Sequence, residues 1–283
     1  RELNKEYQDH KNLYEEMAEA IELQLENIEK RFLEFETAMD QNQYTDVVHI
    51  VKALDTMIEH MEIVISEVPD LLLMCKQMIP KRIKEIEDTK EKMESDGYPL
   101  DFLSIDDNMA EAKKNVSVIL DRIKVLNLED CMFELKTILD YLDSIFVAFE
   151  KERLSRKVYE EASKDFEKKL NKTVKLVTDI YEQLDDIENM YDLNKEDVKI
   201  IDEVNKDLIV IKDDHHKMLE KVKNKATPYS SVNDEVEKLS NRLKQVESTL
   251  DIALKSLGNM YEDEQRAREQ LDEIQELLKQ SKI

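Results

Sequence analysis

Residues 236–257 read VEKLSNRLKQVESTLDIALKSL. Val236, Leu239, Leu243, Val246, Leu250, Ala253 and Leu257 alternate by three and four, which puts them on one stripe of an α-helix with charged and polar residues around it. The stripe resumes at Met260, Ala267, Leu271, Ile274 and Leu278, interrupted by Glu264. One helix cannot bury such a seam alone. The stretch therefore predicts long helices packed side by side.

The same pattern runs outward through the chain. Tyr7, Tyr14, Ile21, Ile28 and Phe35 fall seven apart, with Met17, Leu25, Phe32 and Met39 beside them, and predict one helix to about Asp40. Gln41-Asn42-Gln43-Tyr44 reads as a hairpin turn. Val47, Ile50, Leu54, Met57, Met61, Val64 and Val68 follow, then Leu72, Cys75, Ile79, Ile83 and Ile86; Pro69 and Pro80 predict kinks or one short break, because each removes a backbone donor. Ser95-Asp96-Gly97-Tyr98-Pro99 is the strongest punctuation. From about Ser104 to Tyr191 neither Gly nor Pro occurs, so the seam from Ile105 through Leu126, Leu142 and Phe166 reads as one helix of more than roughly 120 Å if unbroken. Asn194 is a candidate N-cap, Ile201, Val204, Leu208, Ile211, Met218 and Val222 mark the next buried face, and 226–231 is the last turn.

The turns at 41–44, 95–101, 192–195 and 226–231 divide the chain into five helical legs, the third much longer than the others. The expected fold is all-α: an elongated rod of consecutive antiparallel three-helix, spectrin-like bundles joined by a shared long helix, with repeats at 1–126 and 127–283. A weak internal repeat fits this division: Leu142-Asp-Ser-Ile145, Phe149-Glu-Lys-Glu152 and Arg156 resemble Leu254-Lys-Ser-Leu257, Tyr261-Glu-Asp-Glu264 and Arg268.

Composition agrees. Two Gly, four Pro and no Trp in 283 residues cannot serve the turns of a sheet protein. A net charge of −24 opposes binding to nucleic acid or anionic lipid. No apolar run reaches the ~20 residues of a membrane span, so any membrane association is expected through an anchor outside this sequence. Cys75 and Cys131 are isolated thiols in apolar patterns, as expected of a reducing compartment.

Chemistry-bearing motifs are sparse. Gly97 and Gly258 alone cannot build a phosphate cradle or a nucleophile elbow. Asp106-Asp107, Asp185-Asp186 and Asp213-Asp214 read as solvated faces, because acid–base work needs a carboxylate in a desolvated pocket. His49, His60 and His216 have no converging ligands, and His215, between Ile211 and Met218, reads as a core histidine. No catalytic, cofactor-binding or metal site is assigned, and no enzyme is expected. Met57, Met61, Met74, Met78 and Met93 read first as core filler and second as an adaptable docking groove. Tyr98 and Tyr229, each beside a Pro, are candidate contact points.

Asn42-Gln43-Tyr44 before an apolar helix, Val68-Pro69 with Leu71-Leu72, Ile79-Pro80, Gly97-Tyr98-Pro99-Leu100 and Phe149-Glu150-Lys151-Glu152 occur in an order that resembles the cytoplasmic region of the EzrA family, septation ring formation regulators of Gram-positive bacteria. The resemblance is clearest from about Tyr44 to Glu152. It implies a spectrin-like rod on the cytoplasmic face of the cell membrane at the division septum, tethered by an N-terminal anchor. It further implies binding to the tubulin-like division protein FtsZ, restraint of Z-ring assembly and links to wall-synthesis proteins; no patch rich in Gln, Asn and Arg of the kind expected near that family's C-terminus is found. The heptads alone also fit a generic coiled-coil spacer, and self-association is open to both readings.

Overall fold

The computed structural model describes residues 2–190 and 195–280, and among these every regular element is helical. Eight α-helices follow in order: α1 Glu2–Asp9, α2 Ala18–Asp40, α3 Tyr44–Leu73, α4 Ile79–Ser95, α5 Ile105–Lys124, α6 Cys131–Met190, α7 Lys195–Lys223 and α8 Tyr229–Gln280. The chain groups into two compact units, Arg1–Phe149 and Glu150–Ile283. The third expected turn position, 192–195, falls largely outside the described residues.

In the first unit the N-terminal heptad is not one helix. The chain turns back through two 3₁₀ turns, Lys11–Leu13 and Glu15–Met17, with Glu15 at a left-handed φ of 46°. α1 thereby folds onto α2 and α3. Tyr7 and Tyr14 pack with their rings tilted by 50° and centroids 5.1 Å apart. The Tyr14 hydroxyl donates to the Ile65 carbonyl at 2.9 Å. The Tyr7 hydroxyl lies 3.3 Å from the Ala18 carbonyl and 3.2 Å from the Glu22 carboxylate, and its burial pushes its pKa up to about 12. Sequence periodicity alone hid this reversal, because no Gly or Pro marks it.

α2 and α3 form a hairpin closed by Asn42 at φ 58°, a conformation Asn tolerates better than most residues. Pro69 sits inside α3 without ending it, and the helical path continues to α4 through a π-helical turn, Met74–Met78. Pro80 lies in the first turn of α4, where a missing N–H costs least, so a π turn replaces the expected break. α4 ends at Gly97, φ 91°, and α5 returns along it: Lys90 pairs with Asp106 at 2.6 Å and Lys113 with Glu87 at 2.8 Å.

The long seam expected from Ser104 to Tyr191 breaks between α5 and α6. Leu126 takes the left-handed position, φ 58°, that usually goes to Gly. Its amide bonds the Ile123 carbonyl at 2.8 Å, and that of Asn127 bonds Arg122 at 3.0 Å, which closes α5. Burial of Leu126, Leu128 and Cys131 offsets the strain. α6 then packs beside α4, with Arg82 on Asp143 at 2.8 Å and over the Phe146 ring at 5.2 Å. Ile79, Ile83 and Ile86, Ile105, Met109 and Ile119, and Leu135, Leu142 and Phe149 thus meet in one apolar core.

In the second unit, α6 from Glu150 onward, α7 and α8 share a core of Phe166, Leu170, Ile201, Leu208, Ile211, Val236, Leu243 and Leu250. α7 and α8 run antiparallel, cross-linked by Lys221–Glu235 at 2.9 Å and Arg242–Asp214 at 2.6 Å. The α6–α8 register is polar: the buried Glu152 carboxylate accepts from the Tyr229 amide at 2.9 Å and the Ser230 hydroxyl at 3.1 Å, and Thr173 donates to Glu247 at 3.0 Å. Glu152 caps the first turn of α8, where a carboxylate also meets the positive end of the helix dipole. The internal repeat places Leu257, Tyr261 and Glu264 opposite Ile145, Phe149 and Glu152, but those three side chains lie outside the described ones.

Candidate partner-binding surfaces

The sequence candidates are dispersed rather than gathered. Asp106 pairs with Lys90, Asp213 with Lys217 at 2.6 Å and Asp214 with Arg242; the Asp185 and Asp186 side chains lie outside the described ones. His49 and His60 are exposed, and His216 lies 3.6 Å from Glu220. His215 is buried against Phe166, ring centroids 5.0 Å apart, with Nε2 unpartnered; burial is the main reason its pKa falls below the ordinary value. Among the described residues no three His, Cys, Asp or Glu side chains gather as a metal site. Cys75 and Cys131 are free and buried, and burial pushes the Cys75 thiol up to about 11, far from thiolate chemistry.

The methionines divide. Met61, Met74 and Met93 are buried, Met57 is half-buried against the core and only Met78 is exposed, so the row fills the interior. Tyr98 packs partly on the core, and Tyr229 is buried against Tyr159, centroids 5.6 Å apart, beneath the Arg156 guanidinium. Neither is a free contact point.

Exposed apolar residues collect elsewhere. On the α2–α3 hairpin Phe32, Met39, Tyr44 and Val51 sit at seven-residue spacing, two per helix, and all are exposed. Positive rotation from the contact line points the same way on two antiparallel helices, so both pairs line one side of the hairpin. α1 meets the hairpin beside Ala18 and Glu22, through the Tyr7 hydroxyl. At the break between α5 and α6, Phe133 is 72% exposed between two shallow grooves. Periodicity missed Phe133 because it lies off the Leu135–Ile138–Leu142 seam. A large aromatic at a non-seam position was the available signal.

What this geometry offers is faces, on helices packed into all-apolar or mostly apolar cores: a helical protein of the kind that works by contact. The family described as "Septation ring formation regulator, EzrA" matches residues 1–283, and the chain belongs to it. A septation ring formation regulator EzrA of Staphylococcus epidermidis is 21% identical over 275 residues, 97% of this chain and 49% of the relative. That of a Geobacillus species, strain WCH70, is 23% identical over 264 residues, 93% and 47%. That of Streptococcus gordonii is 20% identical over 259 residues, 92% and 45%. The chain spans about half the length of these relatives. No solved structure matches. The family is described as a regulator of septation ring formation, and no described helix is long and apolar enough to cross a membrane.

Proposed function

We propose that this chain is a cytoplasmic, spectrin-like part of a membrane-anchored cell-division regulator that binds FtsZ and restrains or organises Z-ring assembly at the membrane. The observation that carries the reading is the match of the septation-regulator family over residues 1–283. The all-helical fold is compatible with it, the chain being read as two spectrin-like repeats, 1–126 and 127–283. The compact units, Arg1–Phe149 and Glu150–Ile283, divide the chain within α6, later than the proposed repeat boundary at 126–127. Partners are FtsZ and other division or wall-synthesis proteins, reached without nucleic acid or cofactor.

The cellular test is the position of the full-length protein, fluorescently tagged, in dividing cells of its own species. Concentration at midcell that depends on FtsZ supports the reading. Uniform distribution along the membrane at normal expression overturns it.

A further inference from the structure

Phe133 projects from the first turn of α6, directly after the tight connection from α5. On one side its ring borders a groove lined by His60, Ile63 and Glu67 of α3 and by Leu128, Glu129 and Asp130 of the connection. On the other it borders a groove lined by Asn115, Val118, Thr137 and Ile138. Ile63 and Val118 are 49% and 52% exposed, so an aromatic ridge stands between two apolar flanks rather than as an isolated surface residue. Contiguous exposed apolar surface of this kind marks interaction sites, and aromatic side chains are the commonest anchors within them.

The connection beneath the ridge is tied down by several contacts. Leu126 and Asp130 both take left-handed backbone conformations, φ 58° each, which non-glycine residues keep only when surrounding contacts impose them. Here the contacts are the buried Leu126, Leu128 and Cys131 and the Arg122 guanidinium, which reaches both the Glu129 carbonyl and the Glu134 carboxylate. A preformed groove spares a ligand the cost of ordering it.

Its charge selects the ligand. Glu67, Glu129 and Asp130 line the first groove, and none of the three forms a salt bridge among the described residues. Lys136 is the one Lys or Arg in that lining. The α6 N-terminus adds about half a positive charge. Three carboxylates outweigh these two terms, so the groove is net negative. A second copy, itself at −24, would bring like charge to it.

We propose that the Phe133 ridge and its flanking grooves dock a short segment of another protein that presents one or two apolar side chains flanked by Lys or Arg. This goes beyond the FtsZ reading and does not depend on it.

The test is fluorescence anisotropy with a labelled Leu/Lys amphipathic peptide of about 14 residues, a helix of roughly 20 Å, and its Leu/Glu counterpart. Phe133→Ser weakens the Leu/Lys peptide at least about tenfold at unchanged melting temperature. The double variant Glu67→Gln/Glu129→Gln weakens it less and flattens its salt dependence. Val147→Ser, also in the first unit and 70% exposed, leaves it unchanged. Wild-type affinity in Phe133→Ser, or equal binding of the Leu/Glu peptide, overturns the proposal. So does a wild-type dimer in sedimentation that Phe133→Ser dissolves, since the occupant would then be a second copy.

Discussion

The two compact units bury different chemistry. Among the described residues of Arg1–Phe149 every buried side chain belongs to a hydrophobic type, whereas Glu150–Ile283 also buries Glu152, Thr173 and His215. The first unit fixes its helices chiefly by shape, through the α1 reversal, the π turn before Pro80 and the closed connection at Leu126, with the buried Tyr14 hydroxyl on the Ile65 carbonyl adding a polar link. The second fixes α6 against α8 by hydrogen bonds from Glu152 and Thr173. An apolar seam tolerates sliding by a heptad, and a polar group that finds its partner in only one register forbids it, at some cost in stability. Two helical assemblies of similar periodicity thus reach a unique packing by different means.

The largest expected effect falls in the first unit. Leu142→Pro removes a ladder hydrogen bond and a fully buried side chain from α6, and destabilises that unit by about 3 kcal/mol or more. Unchanged helicity and melting temperature would mean that α6 is not continuous there. Glu152→Ala is next, at about 2 kcal/mol, because it orphans the Tyr229 amide and the Ser230 hydroxyl. Native-state hydrogen exchange should show faster opening at the start of α8 while first-unit amides keep their protection; equal loss in both units would contradict the local role.

Acid sharpens the contrast further. The unfolded His215 imidazole takes a proton near pH 6.5, and the buried one does so only at lower pH. Stability from the neutral imidazole is therefore complete above pH 6.5 and is lost as pH falls from there through the lowered folded value. Glu167 opposes the downward shift and His216 reinforces it, but burial dominates. Urea midpoints of the second unit should fall on acidification through this window more in wild type than in His215→Leu. Identical pH profiles would remove His215 from the account. The smallest effect is Phe32→Ala, below about 1 kcal/mol, since the ring is already 45% exposed. A loss as large as that of a core residue would show the hairpin face to be covered in solution.

Much of this was legible in sequence where local chemistry and packing agree. The stripe from Val236 to Ala253 is buried throughout, and the turns at Asn42 and Gly97 carry residues suited to their left-handed backbones. The reversal at Glu15 and the break at Leu126 were not legible, because those positions hold residues that resist positive φ and are kept there by contacts distant in sequence. Glu152 stood out only as part of a short motif. Its role depends on Tyr229 and Ser230 arriving beside it, which no local pattern records.

The proposed action of this chain on the division ring can be read from co-sedimentation with FtsZ assembled with GTP at physiological salt, with a helical protein of similar charge as control. Specific co-pelleting, or loss of pelleted polymer, is the result expected. No binding and no change in polymer mass would contradict direct action by these helices and leave them the role of a spacer.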